Sequence, residues 1–99
     1  MSKVALDLNN PEFQQDFFDL EKTEQMALVR VLKKIRAMTW EQVYQDKGLH
    51  WETIVSKKSK IGDRLYSLRF SQKYRAVALR QDNFLRLLTL HSDHDSAYS

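Results

Sequence analysis

The side chains best suited to chemistry crowd into the C-terminal third of this 99-residue chain. Arg69 and Arg75 recur along two runs of alternating apolar and polar residues. A third run closes on the polar cluster His91-Ser92-Asp93-His94-Asp95. Between residues 57 and 80 lie Lys57, Lys58, Lys60, Arg64, Arg69, Lys73, Arg75 and Arg80, against one acid, Asp63. Such a local basic field suits a polyanionic partner. Its plainer meaning is a solvated lysine-rich loop followed by charged residues guarding strand edges. The His/Asp cluster is a weak metal pattern. His91 and Asp93 share a strand face, His94 falls opposite, and no distant ligand completes the set. An ordinary polar strand end with turn-forming Ser and Asp competes with it.

These residues need a sheet to position them. Over residues 65–71, Tyr66, Leu68 and Phe70 alternate with Ser67, Arg69 and Ser71, as in a half-buried antiparallel strand. Residues 74–80 place Arg75, Val77 and Leu79 on one side and Tyr74, Ala76, Ala78 and Arg80 on the other. The two short alanines leave room for a helix to pack close. Gln72-Lys73 and Gln81-Asp82-Asn83 are short enough for hairpin turns. Residues 84–91 are apolar on both faces except at Arg86, which suits a central strand.

Upstream, Val4–Leu8 alternates weakly as a short first strand. Asn10-Pro11-Glu12 has the form of a helix start. Two helices in a hairpin follow, broken near residues 20–23, with Leu28, Val31, Leu32, Ile35 and Met38 forming the second apolar stripe. Thr39 with Gln42 makes a capping-box pattern for a third short helix ending by Gly48. Residues 49–55 read as extended or as a short edge strand, and residues 56–62 as a polar loop. Helices followed by a meander indicate an α+β domain: an antiparallel sheet of three to four strands backed on one face by two to three N-terminal helices. The other face, with Arg69 and Arg75, is expected to stay accessible.

The whole chain, 1–99, reads as a single domain, with 42% hydrophobic and 29% charged residues. Without cysteine, disulfide and thiol chemistry are excluded. Neither a signal-peptide core nor a membrane-length apolar run is visible, so a cytoplasmic location without membrane contact is expected. No elbow-glycine Ser/His/Asp order or phosphate-cradling glycine-rich loop occurs.

The order Leu65-Tyr66-Ser67-Leu68-Arg69, then Tyr74-Arg75-Ala76-Val77, then a leucine-rich strand leading to His94-Asp95-Ser96-Ala97-Tyr98, resembles the RelE/ParE toxin superfamily of bacterial type II toxin–antitoxin pairs. Gly48-Leu49-His50-Trp51-Glu52 extends the likeness, which covers residues 49–98; the helical half matches in pattern only. The resemblance implies a RelE-like fold, a cognate antitoxin protein as partner and no cofactor. It further implies ribosome-dependent mRNA cleavage, in which a ribose 2′-hydroxyl attacks the adjacent phosphorus without a metal. On this likeness Arg75 contacts the scissile phosphate and Arg69 contacts it second. His94 is acid or base, with an imidazole's ordinary pKa of about 6.5, and Tyr98 orients RNA or assists proton transfer. Asp93 and His91 complete the candidate catalytic set, and Lys57, Lys58, Lys60, Arg64, Lys73 and Arg80 would grip RNA. Asp93 and Asp95 flank His94 where such toxins often carry a basic residue, which would raise the histidine's pKa. A non-catalytic module of the same fold, inhibiting gyrase or binding another protein, is the alternative.

Overall fold

A computed structural model describes residues 2–58 and 64–92, with only the backbone for 55–58. Its helical half follows from local signals. The Asn10 side chain accepts from the Glu12 and Phe13 amides at 2.8 and 3.4 Å, so Pro11 opens α1 (Pro11–Asp19) without wasting a donor. Leu20 and Glu21 are extended and break the chain before α2 (Lys22–Arg36). Gln25 Nε2 donates to Phe17 O at 3.0 Å and ties the new helix to the old one's last turn. Thr39 and Gln42 form the reciprocal capping box of α3 (Trp40–Gln45).

Gly48 does not close α3 as its position suggested. Asp46 follows the last helical residue, and its amide bonds Val43 O. Its carboxylate accepts from the Leu49 amide at 2.9 Å and pairs with Lys34 at 2.9 Å. The hydrogen bond from Lys34 holds this carboxyl below its ordinary pKa, and the Leu49 amide adds to the effect.

The sheet is larger than the meander. Among the described residues five strands, β1 (Ala5–Asp7), β2 (Glu52–Lys58), β3 (Arg64–Arg69), β4 (Tyr74–Gln81) and β5 (Phe84–Ser92), lie in the order β1-β5-β4-β3-β2. Against the expectation of three to four antiparallel strands, β1 joins parallel to β5, pairing Ala5 with Phe84 through Asp7 with Arg86. The described helices carry the chain from β1 to β2 at the opposite edge, and the meander from β2 to β5 then brings it back beside β1. Together they make the long connection that a parallel pair requires. β2 also runs three residues into the stretch expected to be a polar loop, ending at Lys58. Between β4 and β5 the turn is Asp82-Asn83, with Asp82 at φ 52, a conformation that its short polar side chain tolerates.

One sheet face packs under the helices. Leu68, Phe70, Ala76, Ala78, Leu85, Leu87 and Leu90 join Phe13, Leu28, Leu32, Ile35, Trp40 and Val43 in the main core. Because β1 is only three residues long, β5 outruns its partner. Asp16 of α1 accepts the Leu90 amide at 2.9 Å and satisfies a donor that β1 cannot reach. The opposite face is not bare either: Ile54, Leu65, Val77 and Leu79 form a second buried cluster with Leu88 against it. Among the described residues, no helix is long and apolar enough to cross a membrane.

Candidate functional site

On the face turned away from the helices, the strand registers line up the expected residues. Arg69 of β3 pairs with Arg75 of β4, and Arg75 pairs with His91 of β5. One cross-strand row therefore carries two guanidiniums and an imidazole, each half-buried. Directly paired residues on neighbouring antiparallel strands stand about 5 Å apart, and like charges so placed repel. Among the described residues, Arg69 Nε is buried and has no hydrogen-bond partner. Arg75 Nη1 reaches the hydroxyl of Ser67, itself fully buried, at 3.5 Å. A row of this kind attracts an anion that can accept from both forks.

The next row consists of Glu52, Ser67, Val77 and Thr89. Thr89 Oγ1 and His91 Nε2 share a hydrogen bond of 2.8 Å. A register shift makes this arrangement possible. Val77 faces Thr89 while Ala78 faces Leu87, so β5 holds one extra residue, Leu88, at that step. Leu87 and Leu90 consequently both point into the main core although three positions separate them. The bulge thus places His91 beside Arg75.

The basic residues read as one field divide between locations. Arg69 and Arg75 share the row. Lys73 is exposed in the turn between β3 and β4. Arg64 and Arg80 belong to the helix-covered face, and Arg80 lies five residues along β4 from Arg75, about 17 Å. Arg64 is exposed there. Arg80 is engaged in packing: its guanidinium sits 4.4 Å from the Trp40 ring centroid and donates to Tyr44 Oη at 3.1 Å and to Asp82 O at 3.1 Å. Lys57 and Lys58 are strand residues of β2 by backbone. Lys60, Asp93, His94 and Tyr98 lie outside the described residues. So does most of the His/Asp cluster considered for a metal; among the described residues no group of three or more His, Asp and Glu is poised to hold one.

The aromatic assembly around Arg80 was not anticipated. Trp51 stacks on Tyr66 at 4.6 Å and 16°, and Trp40 and Tyr44 meet Trp51 edge-on at 5.4 and 6.3 Å. Burial raises the Tyr44 phenol, but Arg80 and Tyr66 more than offset this and leave its pKa below the usual value. Burial, with Tyr44 as neighbour, raises Tyr66. Ser67 and Thr89, the hydroxyls touching the basic row, were also missed as site residues. Ser67 was legible only as an outward strand position. Nothing in the one-dimensional pattern of β5 marks the bulge that brings Thr89 into place.

Away from the row, α1 and α2 leave an apolar groove of about 330 Å³ lined by Leu8, Phe13, Phe17, Phe18, Val29 and Leu32 beside Gln14. The Phe18 side of it is open to solvent.

No family model matches the chain, and no curated protein matches it. Among solved structures it is similar to a copper-bound mutant of a toxin from Helicobacter pylori, at 20% identity and a TM-score of 0.48, covering 94% of this chain and 96% of that one.

Proposed function

We propose that this chain is the toxin of a type II toxin–antitoxin pair, of RelE/ParE type, and that it cleaves ribosome-bound mRNA. The observation that carries the reading is the row Arg69–Arg75–His91 on the face away from the helices. Metal-independent cleavage of RNA needs three things in one place. A base takes the proton of the 2′-hydroxyl as its oxygen attacks the adjacent phosphorus. A cation steadies the charge gathering on the phosphoryl oxygens. An acid protonates the departing 5′-oxygen, leaving a 2′,3′-cyclic phosphate and a 5′-hydroxyl. In this reading Arg75 and Arg69 grip the phosphate through their forks, and His91 moves a proton beside it. His94, Tyr98 and Asp93 retain the roles that the resemblance implies. The exposed Arg64 and Lys73 add sequence-independent attraction for ribosomal RNA, and Lys57, Lys58 and Lys60 retain the RNA-gripping role that the resemblance implies. The reading calls for a cognate antitoxin protein to neutralise the chain, for the ribosome and mRNA as targets in the cytoplasm, and for no cofactor.

The test is induced expression in a bacterial host with transcriptome-wide mapping of mRNA 5′ ends. Growth arrest with new 5′-hydroxyl ends inside coding regions is expected. Arg75→Ala and His91→Ala should each remove both. Arrest without new ends would point to another target such as gyrase, and arrest surviving both substitutions would refute the nuclease reading.

A further inference from the structure

We infer that Thr89 is a positioning residue that keeps the proton on His91 Nε2 and so leaves Nδ1 as the ring nitrogen that works on a bound phosphodiester. The inference rests on the proposed role of His91 as a proton carrier. The Nε2 atom is already engaged, 2.8 Å from Thr89 Oγ1, so a ligand on this face meets Nδ1. A hydroxyl can either donate or accept, but the chemistry allows one choice. For Nδ1 to take the proton of a 2′-hydroxyl its lone pair must be free, which puts the proton of the neutral ring on Nε2. For Nδ1–H instead to give a proton to the 5′-oxygen the ring is an imidazolium, and both nitrogens carry hydrogen. In each state Nε2–H donates and Thr89 accepts. The same fixed hydrogen bond thus suits His91 to either half of the reaction, as base or as acid.

The fold supplies the geometry at one point. Residues two apart share a strand face, so Thr89 and His91 lie on the same side. The extra residue at Leu88 sets that side opposite the helices and aligns Thr89 with Val77 and His91 with Arg75. Across the sheet, Ser67 stands to Arg75 as Thr89 stands to His91, a hydroxyl one row below. The working side chains occupy one row, and hydroxyls in the next hold two of them.

The test replaces Thr89 by Val, which keeps the branched shape a strand position favours, and by Ser, which keeps the hydroxyl. Nitrogen-15 NMR of the His91 ring should show a proton on Nε2 of the neutral form in the unsubstituted protein, protected from solvent exchange. That signal should be lost in Thr89→Val and kept in Thr89→Ser, with unchanged melting temperatures showing that the fold survives. In the cleavage assay Thr89→Val should lower kcat about fivefold to tenfold with KM unchanged, the size of one hydrogen bond. Thr89→Ser should restore it. A neutral His91 protonated on Nδ1, or a Val variant with an unchanged ring spectrum, overturns the inference even in an active nuclease. An unsubstituted protein that cuts no RNA refutes the nuclease reading, and the ring spectra then still decide whether Thr89 sets the proton.

Discussion

Replacing Arg69 by Met should make the free protein more stable and its RNA binding weaker. Among the described residues the Arg69 Nε is buried without a hydrogen-bond partner, and a buried unmet donor costs about 1–3 kcal/mol. Arg69 also stands directly across from Arg75, and like charges so placed are destabilising. Met keeps most of the aliphatic stem that packs on the sheet and removes both penalties. Loss of the guanidinium's remaining solvent contacts offsets part of this, so a gain of about 1–2 kcal/mol is expected. For a domain of this size that is a rise of roughly 4–16 °C in Tm. Arg69→Lys, which retains the charge without the fork, should gain less. Urea denaturation of the free protein reads the first effect. Fluorescence anisotropy of a single-stranded RNA oligonucleotide across a salt series reads the second. Losing one phosphate contact lowers the magnitude of the log K against log salt slope by about 0.7. Stability is thereby traded for an anion site, as expected where like charges are held together for a ligand. An Arg69→Met variant that is destabilised, or that binds RNA with an unchanged salt slope, would refute the argument.

Asp46 gives a pH test. Its pKa is lowered in the fold, first by Lys34, so the stability it contributes is complete above the unfolded-state value near 3.8 and disappears as pH falls through the lower folded value. Asp46→Asn should therefore cost about 1 kcal/mol at pH 7, given a half-exposed Lys34, and progressively less as the pH falls below 3.8; thermal melts at pH 7 and through that acid range check this. The aromatic residues of α1 should separate sharply. Phe13 is 4% exposed, and Phe13→Ala should cost about 3–5 kcal/mol. Phe18 is 75% exposed, and Phe18→Ser should stay within about 0.5 kcal/mol in the same denaturation assay.

Much of the scaffold could be read before the structure because its signals are local. Asn10-Pro11 and the Thr39/Gln42 box satisfy orphan amides within a few residues, so composition at those positions suffices to start α1 and α3. The faces of β3 and β4 follow from a two-residue period: Ala76 and Ala78 lie under the helices while Val77 and Leu79 lie on the far side. Other features have no local cause. Whether Ala5–Asp7 pairs at all, and in which direction, depends on the helices carrying the chain to the far edge and on the meander from β2 returning it as β5. The polar loop expected from residue 56 begins instead as strand through Lys58, because β3 offers it a hydrogen-bonding edge. Arg80 counted toward a basic field, whereas its position over Trp40 makes it part of the α3 packing.

For the candidate site the division is the same. The residue types were determined by the sequence alone: two outward arginines on adjacent strands, with a histidine ending the third. That these three form one row was decided only by the tertiary structure, through the bulge at Leu88. A strand repeat of two assigns a side to each residue only while the register is unbroken. One extra residue in β5 resets every side chain beyond it, placing Leu90 in the core, His91 against Arg75 and Thr89 against Val77. The shift shows only in the pairing with β4.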